Sequence, residues 1–182
     1  MNDKPKTWKR PESILVVIHT RAARVLLMER KHPRGFWQSV TGSLEWGETA
    51  RDAAIREVFE ETGLDARRGL IDCHRSETFP IIPPWRECYA PDVLVNREHA
   101  FLLPLSSGLT IRPNPAEHVA CRWLPWQLAM RRASSWTNRL AIRLLAESRH
   151  WSWPPPGDMP PENWRFSRPI PIPIRNTLFL HE

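Results

Sequence analysis

The sequence predicts an α+β domain over residues 1–148 followed by a Pro-rich extension over 149–182. Three observations carry this. Ser13 to His19 (SILVVIH) is a dense β-branched run that reads as a buried strand. Thr49 to Gly63 reads as an amphipathic helix with a capping residue at each end. From residue 149 the composition shifts: the last stretch holds eight of the nineteen prolines and three of the ten tryptophans. PPP at 154–156 and PIPIPI at 169–174 fit neither a helix interior nor a central strand, so an extended or disordered tail is expected.

Residues 1–10 read as a flexible start. After the first strand, Arg21 to Ala23 is a turn, and Arg24 to Glu29 (RVLLME) returns as a second strand. Lys31 to Gly35 is a loop marked by Pro and Gly, and Trp37 to Thr41 is a short strand. Thr49 is a suitable N-cap with Asp52 three residues on, and Ala50, Ala53, Ala54, Ile55 and Val58 give helix formers and an apolar stripe. Gly63 stands where a C-cap glycine belongs. Leu70 to Phe79 is expected as a strand. Pro80 to Asp92 holds three more prolines and reads as a long loop, a candidate wall or lid for a substrate. His99 to Leu105 and Val119 to Leu124 are strands separated by the loop Leu109 to Glu117. Pro125 can open a helix at its first turn, giving Pro125 to Arg132, and Trp136 to Ser148 is a final amphipathic helix.

At 182 residues, with 41% apolar and 25% charged residues, the chain has the composition of one soluble domain with a real core. A formal charge of +6 favours anionic partners, and phosphate esters satisfy it as well as nucleic acid does. Cys73, Cys88 and Cys121 are odd in number and lack metal-ligand spacing, so buried free thiols in a reducing compartment are expected. The start MNDKPKTWKR lacks the apolar core of a signal peptide, and no stretch reaches the length of a membrane span. A cytoplasmic protein is expected.

The chemistry lies in Gly42 to Leu64, GSLEWGETARDAAIREVFEETGL. Glu57, Glu60 and Glu61 stand at i, i+3 and i+4, on one helical face within roughly a 100° arc. Three like charges so placed repel one another. A hard divalent cation such as Mg²⁺ turns that repulsion into attraction, with water and phosphate completing its shell. A solvated acidic face gives the same local pattern, so the whole stretch has to decide. Gly42, Glu48, Arg56, Glu57, Val58, Glu60, Glu61, Gly63 and Leu64 stand at the spacing of the Nudix box, and the chain resembles that family at each of these positions. The resemblance implies the Nudix fold, an α/β/α sandwich with a mixed sheet between helices. It also implies hydrolysis of a diphosphate linked to another moiety, with Mg²⁺ (or Mn²⁺) on the glutamates. Gly42, Glu48, Arg56 and Gly63 are then the structural members of the box. Arg56 is expected to pair with Glu48 and hold the loop against the helix.

Segments outside the box narrow the likeness. WKRPESILVVI (8–18), FWQSVTGSLE (36–45), IDC (71–73), RECYAP (86–91), EHVACRWL (117–124) and SWTNRLAI (135–142) resemble the bacterial dihydroneopterin triphosphate diphosphatase branch. That resemblance covers residues 7–147, and the Pro-rich extension departs from it. It implies cleavage of dihydroneopterin triphosphate to the monophosphate and pyrophosphate, in folate biosynthesis. It also implies Glu57, Glu61 and Glu117 as metal ligands, and Glu60 as a further ligand or base. Lys9, Arg30, Thr41 and Ser135 match substrate contacts, as do Phe79, Pro80, Ile81 and Ile82, where FPII keeps an apolar wall rather than identical side chains.

A small-molecule pterin or nucleoside triphosphate is therefore the expected partner. Neither membrane nor nucleic acid is expected, and oligomeric state is left open. Two rival readings stand beside this one: a Nudix pyrophosphatase of (d)NTPs, and a non-catalytic Nudix-fold module that binds RNA or a nucleotide. The intact set of glutamates favours an enzyme. Trp37 reads as core, while Phe79 and Trp85 are candidates to stack on a planar ring. His32, His74 and His118 show no ligand spacing and receive no role.

Overall fold

The computed structural model describes residues 7–83 and 85–151. The expectations for the first six residues, and for the extension beyond Trp151, lie outside the described residues. Seven strands and three helices follow in order: β1 (Glu12–Thr20), β2 (Arg24–Arg30), β3 (Trp37–Gln38), β4 (Val40–Ser43), α1 (Ala50–Thr62), β5 (Ile71–Pro80), β6 (Val95–Leu105), β7 (His118–Pro125), α2 (Trp126–Arg132) and α3 (Trp136–Ser148).

The β-branched run forms β1 at the middle of the sheet, and its alternation shows why it is apolar throughout. Ile14, Val16 and Ile18 belong to the core on one face of the sheet. Val17 belongs to the core on the other. A strand buried on both faces has no polar side to show. β6 lies parallel to β1 along its length, from Glu12 opposite Arg97 to Thr20 opposite Leu105. β5 pairs antiparallel on the far side of β6, and β7 pairs antiparallel with β2. The sheet is therefore mixed.

β1 and β2 meet at His19 and Val25 and then part. The segment from Trp37 to Ser43 fills the gap between them. The sequence reads Trp37 to Thr41 as one strand, but the structure divides it at Ser39. β3 pairs with β2, and β4 with β1. The reason lies in a distant helix: the Ser39 N–H donates to Asn138 Oδ1 of α3 at 3.0 Å.

Helix α1 covers one face. Ala53, Ala54 and Val58 pack on Ile14, Val16, Leu26, Met28, Val40 and Phe101. The small alanines let the helix approach the strands closely. The other face is covered by Ala129 and Ala133 at α2 and by Ile142 and Leu145 of α3, against Val17, Val25, Leu27 and Trp37. The layers are those of an α/β/α sandwich. Trp37 is core, 3% exposed, with the Arg132 guanidinium 4.8 Å from its ring centroid.

Several expectations need correction. β6 begins at Val95, four residues before His99, because Val95 to Glu98 pairs with β5 from Pro80 back to Glu77. Its polar letters hid a strand whose Asn96 and Glu98 turn inward and are buried. The loop from Pro80 to Asp92 contains a 3₁₀ turn at Trp85–Cys88, and Trp85 meets Phe36 edge-on at 5.7 Å. Pro125 closes β7 and occupies the N-cap, so α2 starts one residue later. The cysteines are free but not buried: Cys88 is exposed, and Cys73 and Cys121 are half-buried. Trp151, assigned by sequence to the extension, packs on the second core and meets the His19 ring at 5.5 Å.

Candidate active site

The geometry of the site starts from α1 and the loop before it. Thr49 caps the helix by accepting from the Asp52 N–H at 3.1 Å, and Gly63 ends it with φ 74°, a left-handed turn that favours glycine. Arg56 ties loop to helix. Its Nε and Nη2 donate to the two carboxylate oxygens of Glu48, both at 2.9 Å. Nη2 also donates to the Ser43 carbonyl at 3.1 Å. Nη1 reaches Glu57 at 2.7 Å and Glu60 at 3.2 Å. The paired guanidinium holds the Glu48 carboxyl below its usual range.

Packing divides the three helix carboxylates. Glu57 and Glu61 are buried, whereas the Glu60 side chain is 48% exposed and held at the surface by Arg56. Burial pushes the Glu57 carboxyl up to about 7 despite the pull of Arg56, and the charges of Glu61 and Glu60 add to the rise. Gly42 makes room for it: a Cβ there would lie 1.9 Å from Glu57 Cδ. Burial also raises Glu61. Both of its carboxylate oxygens are enclosed with no hydrogen-bond partner. His118 Nε2 lies 3.3 Å from Glu61 Oε2, and its approach works against that rise.

The loop before β7 brings in the next carboxylate. The Asn114 N–H donates to the Glu61 carbonyl at 3.2 Å, and the His118 N–H donates to Asn114 O at 2.9 Å. The Lys31 N–H donates to the Glu117 carbonyl at 2.6 Å, fastening the loop to the end of β2. Glu61, Glu117 and His118 thereby present ligand atoms within 4.8 Å of one another. Arg30 stands opposite His118 across an irregularity in the β2–β7 ladder, and its charge pulls the Glu61 carboxyl down. An oxygen-rich cluster of this kind suits a hard divalent cation.

The remaining residues singled out by sequence fall in two places. Lys9 is exposed, and its backbone N–H donates to the Cys88 carbonyl at 2.9 Å. Its neighbour Arg10 donates to the carbonyls of Glu45 and Glu48, so the N-terminal segment crosses both the box loop and the loop after β5. Thr41 and Ser135 belong to the opposite face of the sheet. Val40 packs toward α1, so Thr41 turns toward α3. Ser135 caps α3 by accepting from the Asn138 N–H at 3.2 Å. Phe79 and Pro80 end β5, the Ile81 N–H donates to the Leu94 carbonyl, and Ile82 is exposed.

Sequence reasoning missed two buried groups. His118 had no ligand spacing to report it, because its neighbours come from α1. Glu98 lies on a strand recognised only in its second half, though alternation with Ala100 and Leu102 marks it as inward-facing.

The sequence model of the NUDIX domain matches residues 9–145. Dihydroneopterin triphosphate diphosphatase of Escherichia coli K12 is 46% identical over 143 residues, which cover 76% of this chain and 94% of that protein. The protein of the same name from Haemophilus influenzae is 38% identical over 140 residues, 75% of this chain and 87% of that one. The solved structure of the E. coli dihydroneopterin triphosphate pyrophosphohydrolase superposes with a TM-score of 0.73 at 44% identity, covering 79% of this chain and 99% of that one. An Ap4A hydrolase of C. elegans shares the fold at 20% identity, with a TM-score of 0.59 over 75% of this chain and 96% of that one.

Proposed function

The chain belongs to the Nudix family, and from that premise we infer that it is a pyrophosphohydrolase that cleaves dihydroneopterin triphosphate to the monophosphate and pyrophosphate. One observation carries the reading: the likeness to the E. coli enzyme runs over nearly its whole length, through segments outside the box as well as within it. The box governs which bond is cleaved, so substrate choice rests with those outer segments.

Glu57, Glu61 and Glu117 are the residues to hold Mg²⁺, with Mn²⁺ able to replace it. The enclosed oxygens of Glu61 and the approach of Glu117 fit an ion, and the room kept beside Gly42 holds the Glu57 carboxyl. When bound, the ion neutralises phosphate charge and lowers the pKa of water. Glu60 and Glu117 are the carboxylates available to take a proton from the attacking water, since Glu57 and Glu61 are enclosed. Arg30 and Lys9 offset charge on the departing pyrophosphate. Arg56 keeps Glu57 aligned and binds the box loop to its helix. Thr41, Ser135 and the Phe79–Ile82 stretch contact the ring and sugar-like chain of the substrate. Among the described residues no helix is long and apolar enough to cross a membrane, and we place the enzyme in the cytoplasm.

The test is a side-by-side panel of dihydroneopterin triphosphate and the common dNTPs at fixed Mg²⁺. We expect the pterin to have the highest kcat/KM and pyrophosphate to be the product. Preference for a dNTP overturns the substrate and leaves the family standing. Release of orthophosphate overturns the position of attack.

A further inference from the structure

We propose that Glu98 reads the donor edge of the substrate's ring, on the face of the sheet opposite the helix carboxylates; this rests on the pterin triphosphate reading above. A cavity of about 280 Å³ lies between α3 and the strands β1, β6 and β5. Leu15, Ala100, Leu102, Leu140 and Thr137 are among its walls, and Glu98 is set into it. The size suits one bicyclic ring rather than a whole nucleotide.

Glu98 is the feature of this cavity that packing alone does not explain. It is 8% exposed, and no ion pair reaches it among the described residues. Thr137 lines the same cavity and pulls the carboxyl down, but burial in mostly apolar surroundings holds it up at about 7. A buried carboxyl with one neutral partner is costly, so a carboxyl kept here calls for a use.

Register connects the cavity to the rest of the site. Ser43, Ser13 and Glu98 form one cross-strand row, and Thr41, Leu15 and Ala100 form the next. Strands stand about 4.8 Å apart, which puts Glu98 roughly 10 Å from the box strand. Thr41 and Leu15 share its face, and Thr137 lies in the first turn of α3, capped by Ser135. β4 runs between the ring pocket and the phosphate end: its Gly42 faces Glu57, and its Thr41 lies on the face of the sheet that carries Leu15 and Glu98.

The chemistry names the ligand class. A 2-amino-4-oxo pyrimidine ring presents a ring N–H beside an amino group, two parallel donors. A carboxylate accepts two hydrogen bonds in that arrangement. Pterin and guanine share this edge, and adenine lacks it. Glu98 therefore separates 2-amino-4-oxo rings from the other bases, and the apolar walls separate pterin from guanine by shape.

The experiment compares kcat/KM of the wild type and Glu98→Gln on dihydroneopterin triphosphate, dGTP and dATP at fixed Mg²⁺. Loss of roughly 30-fold or more on the first two, carried mainly by KM, with dATP within about threefold, is expected. Retained dATP turnover reports an intact fold and phosphate end. Glu98→Asp keeps the charge and withdraws it by one methylene, so an intermediate loss with the same pattern is expected even if the Gln variant folds poorly. An equal fall on all three substrates, or no fall, overturns the proposal and makes the Glu98–Thr137 contact structural. If the wild type does not favour the pterin, the substrate reading fails by itself. The dGTP to dATP ratio in the two variants then still decides whether Glu98 reads the edge.

Discussion

Glu57 and Glu61 stand one helical turn apart, both enclosed, and burial raises both carboxyls against the pull of Arg56 on the first and His118 on the second. Replacing either by Gln should lower kcat by about 100-fold or more, roughly 3 kcal/mol of barrier. Thermal melts should show a folded variant that gains little from Mg²⁺. Full activity in either one removes it from the metal set. Gly42 allows a sharper separation of stability from activity. The atoms that an added Cβ would strike belong to the end of the flexible Glu57 side chain. Gly42→Ala should therefore melt close to wild type while losing on the order of 100-fold in rate, because a ligand displaced by an ångström is misplaced for chemistry. A variant that keeps its rate removes the cradle role. Glu98 supplies a pH test. Its carboxyl titrates near 4.5 when unfolded and at about 7 when folded. Between those values the folded state holds more protons than the unfolded one, so its contribution to stability falls as pH rises from 4.5 through 7. The loss is roughly 3 kcal/mol above that window. Glu98→Gln should remove this fall. In EDTA, the variant should gain melting temperature over wild type at pH 8 more than at pH 5. An equal gain at both pH values assigns the titration elsewhere.

At the scale of elements, the box works by fixing a loop to a helix. Arg56 makes two aligned contacts with Glu48, one with the Ser43 carbonyl, and reaches Glu57 and Glu60 as well. A planar fork matches that set and an ammonium does not. Arg56→Lys should cost about 1–3 kcal/mol in a melt and lower kcat by releasing Glu57. A melt unchanged within error contradicts the tether. This much was legible in the sequence: Thr49, Gly63 and the Arg56–Glu48 pair are local signals, read from neighbours in the chain. Ser39 and the start of β6 were not. Ser39 bends because Asn138, on another helix, takes its N–H, and Val95 to Glu98 is a strand because β5 lies beside it. His118 became part of the site only when the loop before β7 bonded to the end of α1.

Across the whole molecule, packing among the described residues continues past the NUDIX match at residue 145 to include Trp151. Trp151 covers His19 and the second core. Trp151→Ala should lower stability by roughly 2 kcal/mol. Deletion of 149–182 should do the same, while deletion of 152–182 should spare both melt and rate. Equal melts for the two truncations rule out a role for Trp151. The sequence by itself determined the family, the order of elements and the Arg56–Glu48 tether, because these depend on residue type at short, fixed spacing. Only the tertiary structure decided which of three similar glutamates are buried. It also decided that His118 joins Glu61, and that Glu98 faces a cavity beneath α3. Burial and contact between distant segments are properties of packing, and the same letters in the chain carry no mark of them.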